Sequence, residues 1–187
     1  KNGRFRSITT NNGLSHNFVR AIMQDHRGHY WIGTYGGGLT ELTADPSQPS
    51  GWRSAIFNTK NGFPDDFVFS VYEDAQHRMW VGTNGKGLIA FDPEAVSSGG
   101  KFTSYTTHDG LTNDFVFSFY DDHHGSFWIG TNGGGLNRLK DGKFTSYRVK
   151  DGLFDNVILQ ITEDNKNNLW IGSSKGIFQI SKKQFDD

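Results

Sequence analysis

Residues Gly110–Leu139 read GLTNDFVFSFYDDHHGSFWIGTNGGGLNRL. The same phrase opens again at Gly13 (GLSHNFVRAIMQDHRGHYWIGTYGGGLTEL), at Gly62 (GFPDDFVFSVYEDAQHRMWVGTNGKGLIAF) and at Gly152 (GLFDNVILQITEDNKNNLWIGSSKGIFQI). One tryptophan per copy marks the period: Trp31, Trp80, Trp128 and Trp170 are separated by 49, 48 and 42 residues. Self-similarity at this spacing marks arrays in which a unit buries its apolar face only against its neighbours.

Each copy divides into four short segments. Segment A (Phe18–Asp25, Phe67–Asp74, Phe115–Asp122, Val157–Asp164) is apolar on both parities in the middle copies, which predicts a strand buried on both faces. Its fourth position is Ala21, Ser70, Ser118 or Gln160, mostly small, as expected where strands crowd around a common axis. An aspartate column follows at Asp25, Asp74, Asp122 and Asp164, placed to accept backbone N–H groups in a hairpin turn. Segment B carries the tryptophan (YWIGT, MWVGT, FWIGT, LWIGS), and segment C starts at Gly38, Gly87, Gly135 and Gly176. Segment D is Trp52–Phe57, Phe102–Tyr105 and Phe144–Tyr147. Aromatic and β-branched runs between glycine turns, without helical periodicity, predict an all-β chain. Four antiparallel strands per repeat form the blade of a β-propeller, so the expectation is four four-stranded blades in one domain over 1–187. The repeats span 13–57, 62–105, 110–147 and 152–180.

Phe5–Ile8 stands eight residues ahead of Gly13, as Phe102 and Phe144 stand ahead of Gly110 and Gly152. That spacing makes residues 5–8 a candidate outer strand, which completes the last blade and closes the ring or belongs to a preceding blade. A piece of a larger ring, or two copies joined into one ring, are the alternatives to self-closure.

Composition narrows the function. With 19 Lys+Arg against 20 Asp+Glu there is no electrostatic footprint for nucleic acid or for an anionic membrane surface. The hydrophobic fraction is only 34%, but 16 Phe, 6 Tyr and 5 Trp supply large apolar surfaces. The 24 glycines against 4 prolines fit many tight turns. The absence of cysteine excludes disulfides, thiolate nucleophiles and Cys-ligated zinc. No apolar run approaches the ~20 residues of a membrane-spanning helix, and no signal-peptide pattern opens the chain at Lys1-Asn2-Gly3.

The repeat resembles the two-component regulator propeller repeat, through Gly110-Leu111, Val116, Phe119, Asp122, Gly125, Trp128-Ile-Gly-Thr131 and Gly134-Gly-Leu136. The last copy departs from the pattern at Ser173-Ser-Lys175. The resemblance implies the periplasmic sensor region of a bacterial hybrid histidine kinase or diguanylate cyclase. In that family a β-sandwich, a transmembrane helix and a cytoplasmic signalling domain follow the propeller. Neighbouring domains of the same receptor are the partners it implies; a homodimer is the partner expected where two copies join into one ring or the module serves dimerisation.

Strand order puts the D–A and B–C loops on one face and the A–B and C–D loops on the other. The first face collects Asn17, Asp66, Asp114 and Asn156, each just before strand A, with Tyr35, Asn84, Lys86, Asn132 and Lys175 from the B–C loops. Amides and carboxylates beside an aromatic ring and lysines suit the hydroxyls of an oligosaccharide. The competing reading is structural: a residue type recurring in every blade caps the turn into strand A. Residues that break the repeat (Arg20, Tyr35 and Lys86) are the better ligand candidates. The Gly36-Gly-Gly38 and Gly133-Gly-Gly135 runs lead into strands, so they lack the helix N-terminus a phosphate cradle needs. Of seven histidines, His26 and His29 beside Asp25 offer part of a metal site, but exposed turn histidines are common and no metal or other cofactor is expected. Asp65, Asp66, Asp114 and Asp155 are carboxylates without an identifiable acid–base pairing, so no catalytic residue is assigned. The expectation is a non-catalytic saccharide-sensing module. A structural or dimerisation module, or a propeller polysaccharide lyase, stands as the alternative.

Overall fold

A computed structural model describes residues 5–97 and 99–185. Fifteen strands make four antiparallel sheets, one per repeat. Blade 1 is β1 (Val19–Gln24), β2 (Tyr30–Thr34), β3 (Leu39–Ala44) and β4 (Trp52–Phe57). Blade 2 is β5 (Val68–Glu73), β6 (Met79–Thr83), β7 (Leu88–Phe91) and β8 (Thr103–Tyr105), with a single helical turn, α1 (Pro93–Ser97), before β8. Blade 3 is β9 (Val116–Asp121), β10 (Ser126–Thr131), β11 (Leu136–Lys140) and β12 (Lys143–Tyr147). Blade 4 has only β13 (Ile158–Glu163), β14 (Asn168–Ser173) and β15 (Gly176–Ser181). The sequential order within each sheet is the up-and-down meander of a propeller blade.

Residues 5–8 form no strand, which corrects the expected outer strand Phe5–Ile8. A D strand hydrogen-bonds only to the C strand of its own blade, and β15 has no such neighbour. The first strands pack in series, β1 against β5, β5 against β9 and β9 against β13, with no comparable contact between β13 and β1 among the described residues. The four blades therefore form an open arc. Strand A also departs from the expectation of burial on both faces: β1 is mostly exposed and β5 half-buried, because four blades do not close around the axis.

Each internal seam is built alike. Trp31 and Leu39 of blade 1 pack with Val68, Met79, Val81 and Ile89 of blade 2. Trp80 and Leu88 meet Leu111, Val116, Phe127 and Ile129 of blade 3. Trp128 and Leu136 meet Leu153, Ile158, Leu169 and Ile171 of blade 4. The WIGT glycine lets the next blade approach: a Cβ on Gly33 would lie 2.5 Å from Val68 Cγ1, and one on Gly130 2.6 Å from Ile158 Cγ2.

The aspartate column does more than hold its turn. Asp25 Oδ1 accepts the backbone N–H groups of Arg27 (3.0 Å) and His29 (2.8 Å), while Oδ2 accepts the Trp31 indole N–H at 3.0 Å. Asp74 and Asp164 repeat this with Trp80 (2.8 Å) and Trp170 (2.9 Å), and Asp122 reaches Trp128 at 3.4 Å. Burial alone would raise the Asp25 and Asp74 carboxyls. The indole, the turn N–H groups and a neighbouring arginine outweigh it and hold both below the usual carboxylate range.

Candidate functional site

The D–A loops explain the column at Asn17, Asp66, Asp114 and Asn156. The side-chain oxygen of each accepts the backbone N–H of the residue seven earlier: Thr10 (2.9 Å), Thr59 (2.8 Å), Thr107 (2.7 Å) and Val149 (2.8 Å). Asp66 and Asp114 also take the hydroxyls of Thr59 and Thr107. Their backbone carbonyls stitch the blades together: Asp66 accepts Gly36 and Gly38 N–H, Asp114 accepts Gly85 and Gly87, and Asn156 accepts Gly133 and Gly135. These four recurring residues are thus tied to architecture, and their free capacity toward a ligand is what the turns leave over.

The four carboxylates considered for catalysis are similarly engaged. Asp65 and Asp155 accept the backbone N–H groups of Phe67 (3.1 Å) and Val157 (3.3 Å). Burial pushes the Asp65 carboxyl up. Asp155 also takes the Ser174 hydroxyl at 2.6 Å, which is the main cause of its lowered pKa.

Residues that break the repeat are arranged differently. Tyr35 pairs across the seam with Phe67, and Asn84 and Asn132 pair in the same way with Phe115 and Val157. Tyr35 is therefore the aromatic replacement of an amide at one seam. Its ring is exposed, lies edge-on to Phe67 at 4.8 Å and stands 5.7 Å from Phe18. Arg20, exposed on β1, holds its guanidinium 5.1 Å above the Phe69 ring. Phe69 meets Phe117 edge-to-face at 5.0 Å, so an aromatic surface runs from blade 1 to blade 3 around the axis. Sequence reasoning placed Arg20 and Tyr35 but not these phenylalanines. Their occurrence at alternate positions of strand A was the available signal. Lys86 is exposed in the loop of blade 2, where its charge bears on Asp65. Lys175 lies 3.9 Å from Asp155 in blade 4.

On the opposite face the histidines do not combine as the sequence suggested. His29 Nδ1 faces Glu41 of its own blade at 2.8 Å, whereas His26 Nδ1 lies 2.5 Å from Glu73 of the next blade. His26 stacks on His77 at a centroid distance of 3.7 Å. Spacing within one turn could not show this partnership, because two of its three members come from another repeat.

Comparison with known proteins places this architecture. The two component regulator propeller family matches residues 13–36, 62–85, 110–133 and 152–175, and the chain belongs to that family. No curated protein matches the chain. Among solved structures, the extracellular domain described as that of a hybrid two component system, BT3049 from B. thetaiotaomicron, is 26% identical and superposes with a TM-score of 0.79. The alignment covers 97% of this chain and 24% of that one. The extracellular domain of BT4673 from the same organism is 22% identical, with a TM-score of 0.74, over 90% of this chain and 24% of that one. This chain thus spans about a quarter of the length of those domains. A streptogramin B lyase shares the fold at 16% identity and a TM-score of 0.59, over 90% of this chain and 56% of its own. No helix among the described residues is long and apolar enough to cross a membrane.

Proposed function

We propose that the chain is a non-catalytic, periplasmic sensing segment of a bacterial signal-transduction receptor. It recognises a saccharide or similar polar ligand on the face of the D–A and B–C loops. The observation that carries this reading is the exposed Tyr35 ring, set beside Phe18 and Phe67 where two other seams carry Asn84 and Asn132. An aromatic edge near the Arg20 guanidinium offers a stacking platform with hydrogen-bond donors beside it. Occupancy is passed on through contacts with neighbouring receptor domains.

Thermal-shift screening of an oligosaccharide panel, followed by a glycan array, tests this. At least one sugar should raise the melting temperature of the wild-type chain, and Tyr35→Ala and Arg20→Ala should each remove most of that shift. Silence across both assays would sink the ligand reading.

A structural or dimerisation module is the second reading, favoured by the apolar groove of about 360 Å³ on the outer side of blade 1, where Val19 and Ile22 are exposed. Light scattering that finds a ligand-free dimer, with binding absent, would support it. A polysaccharide lyase draws on fold likeness alone, and unchanged uronic-acid polymers after incubation would dismiss it.

A further inference from the structure

We propose that His26, Glu73 and His77 form a zinc-binding site that staples blade 1 to blade 2. One ring nitrogen of His26, one of His77 and a Glu73 carboxylate oxygen all lie within 4.8 Å of one another. Bonds of about 2.0–2.1 Å at tetrahedral angles require ligand atoms about 3.3 Å apart. Glu73 Oε1 already stands 2.5 Å from His26 Nδ1 and 3.5 Å from His77 Nδ1. The adjustment falls on the imidazoles, whose side chains are 42% and 58% exposed against 11% for Glu73. Two imidazoles and one carboxylate are a donor set that suits zinc and its borderline neighbours, with water completing the coordination.

The carboxylate is preorganised. The backbone N–H of His26 donates to Glu73 Oε2 at 2.8 Å, which turns Oε1 toward the two rings. At the other seams the same carboxylate position is used up otherwise. Tyr72 donates its hydroxyl to Asp121 at 3.2 Å. Tyr120 donates to Glu163, which also binds Lys182 at 2.8 Å. Blade 1 has Met23 where those blades have tyrosine, so Glu73 receives no hydroxyl from it and His26 takes that place.

His77 shows a matching departure. It sits at φ 62°, in the left-handed region, where the hairpins of blades 1 and 3 have Gly28 and Gly125. An imidazole there is held at a backbone conformation glycine would adopt more easily. Both rings open onto a cleft of about 210 Å³ that also contains Asp92 and Glu94, leaving access for the ion and its waters.

The second carboxylate–histidine group, Asp25, His29 and Glu41, is a poorer host. The Arg27 guanidinium lies 3.1 Å from Asp25 and 3.5 Å from Glu41, and so already neutralises them. Asp25 also spends its oxygens on turn N–H groups and the Trp31 indole.

Calorimetric titration of the purified chain with zinc chloride, repeated with cobalt(II) to read its visible absorption, is the test. One ion per chain is expected. His26→Ala and His77→Gly should each weaken binding about tenfold or more, while His29→Ala leaves it unchanged. His77→Gly installs the residue of blades 1 and 3 at the left-handed position, so it keeps the hairpin while removing the ligand; unfolding curves verify this. No binding, binding unaffected by either His26→Ala or His77→Gly, or equal loss with His29→Ala would each overturn the proposal.

Discussion

Trp128 and Trp170 hold the same place in consecutive blades and donate to the same kind of partner, Asp122 and Asp164. Trp128 is fully buried between blades 3 and 4, whereas Trp170 is 42% exposed. The glycines beside them differ in the same sense. A Cβ on Gly130 would meet Ile158 of the next blade, but one on Gly172 finds nothing closer than Gln160 Cβ at 3.6 Å. On the other side of the arc, Ile32 and Leu42 offer the surface that in blades 2 to 4 receives the preceding tryptophan. The hairpin alone fixes the Asp–Trp bond; burial of the indole requires a second blade. Local chemistry and seam packing are thus separate contributions that a repeat sequence writes in one motif.

The sharpest way to break this distinction is Trp128→Ala. It should lower stability by about 3–5 kcal/mol in urea unfolding, the range for emptying a buried aromatic site. Trp170→Ala should cost about 1 kcal/mol, the scale of one hydrogen bond with part of a ring's burial. Equal losses would refute the seam account. Gly130→Ala should cost roughly 1–3 kcal/mol through overpacking against Ile158, whereas Gly172→Ala should stay within about 0.5 kcal/mol.

Acid sharpens the comparison from the other side. Asp25, Asp74 and Asp122 all have folded values below their ordinary 3.8. For Asp122 burial is the largest influence and raises it, but the Ser126 and His124 N–H groups, Lys182 and the Trp128 indole outweigh it. A depressed carboxylate contributes stability that is complete above its unfolded value and disappears as pH falls through the folded one. Unfolding midpoints should therefore be flat above about pH 5 and drop below pH 4. Replacing Asp74 by Asn should flatten part of that drop.

Much of this was legible in the sequence, and the limits have physical causes. The four blades follow from the tryptophan period and the glycine turns, because blade-internal pairing is local along the chain. The aspartate turn was also readable, but not its bond to tryptophan, although the six-residue interval between Asp25 and Trp31 recurs in every copy. Phe5–Ile8 misled because strand character needs a partner ladder as well as a suitable composition. The His26–Glu73–His77 group was illegible because its members meet only across a seam. The capping role of Asn17 and its equivalents was readable from their recurrence, but not the partner seven residues earlier, because the D–A loop folds back on itself to bring the two together.

The indole–carboxylate pairing has an optical consequence. Three of its four tryptophans are buried at different blade seams, while Trp170 is half in solvent. Single-tryptophan variants would therefore turn the molecule into a set of independent emitters, each reporting the wetting of one blade boundary. The order in which their spectra shift to the red during unfolding would read out the sequence in which the boundaries open.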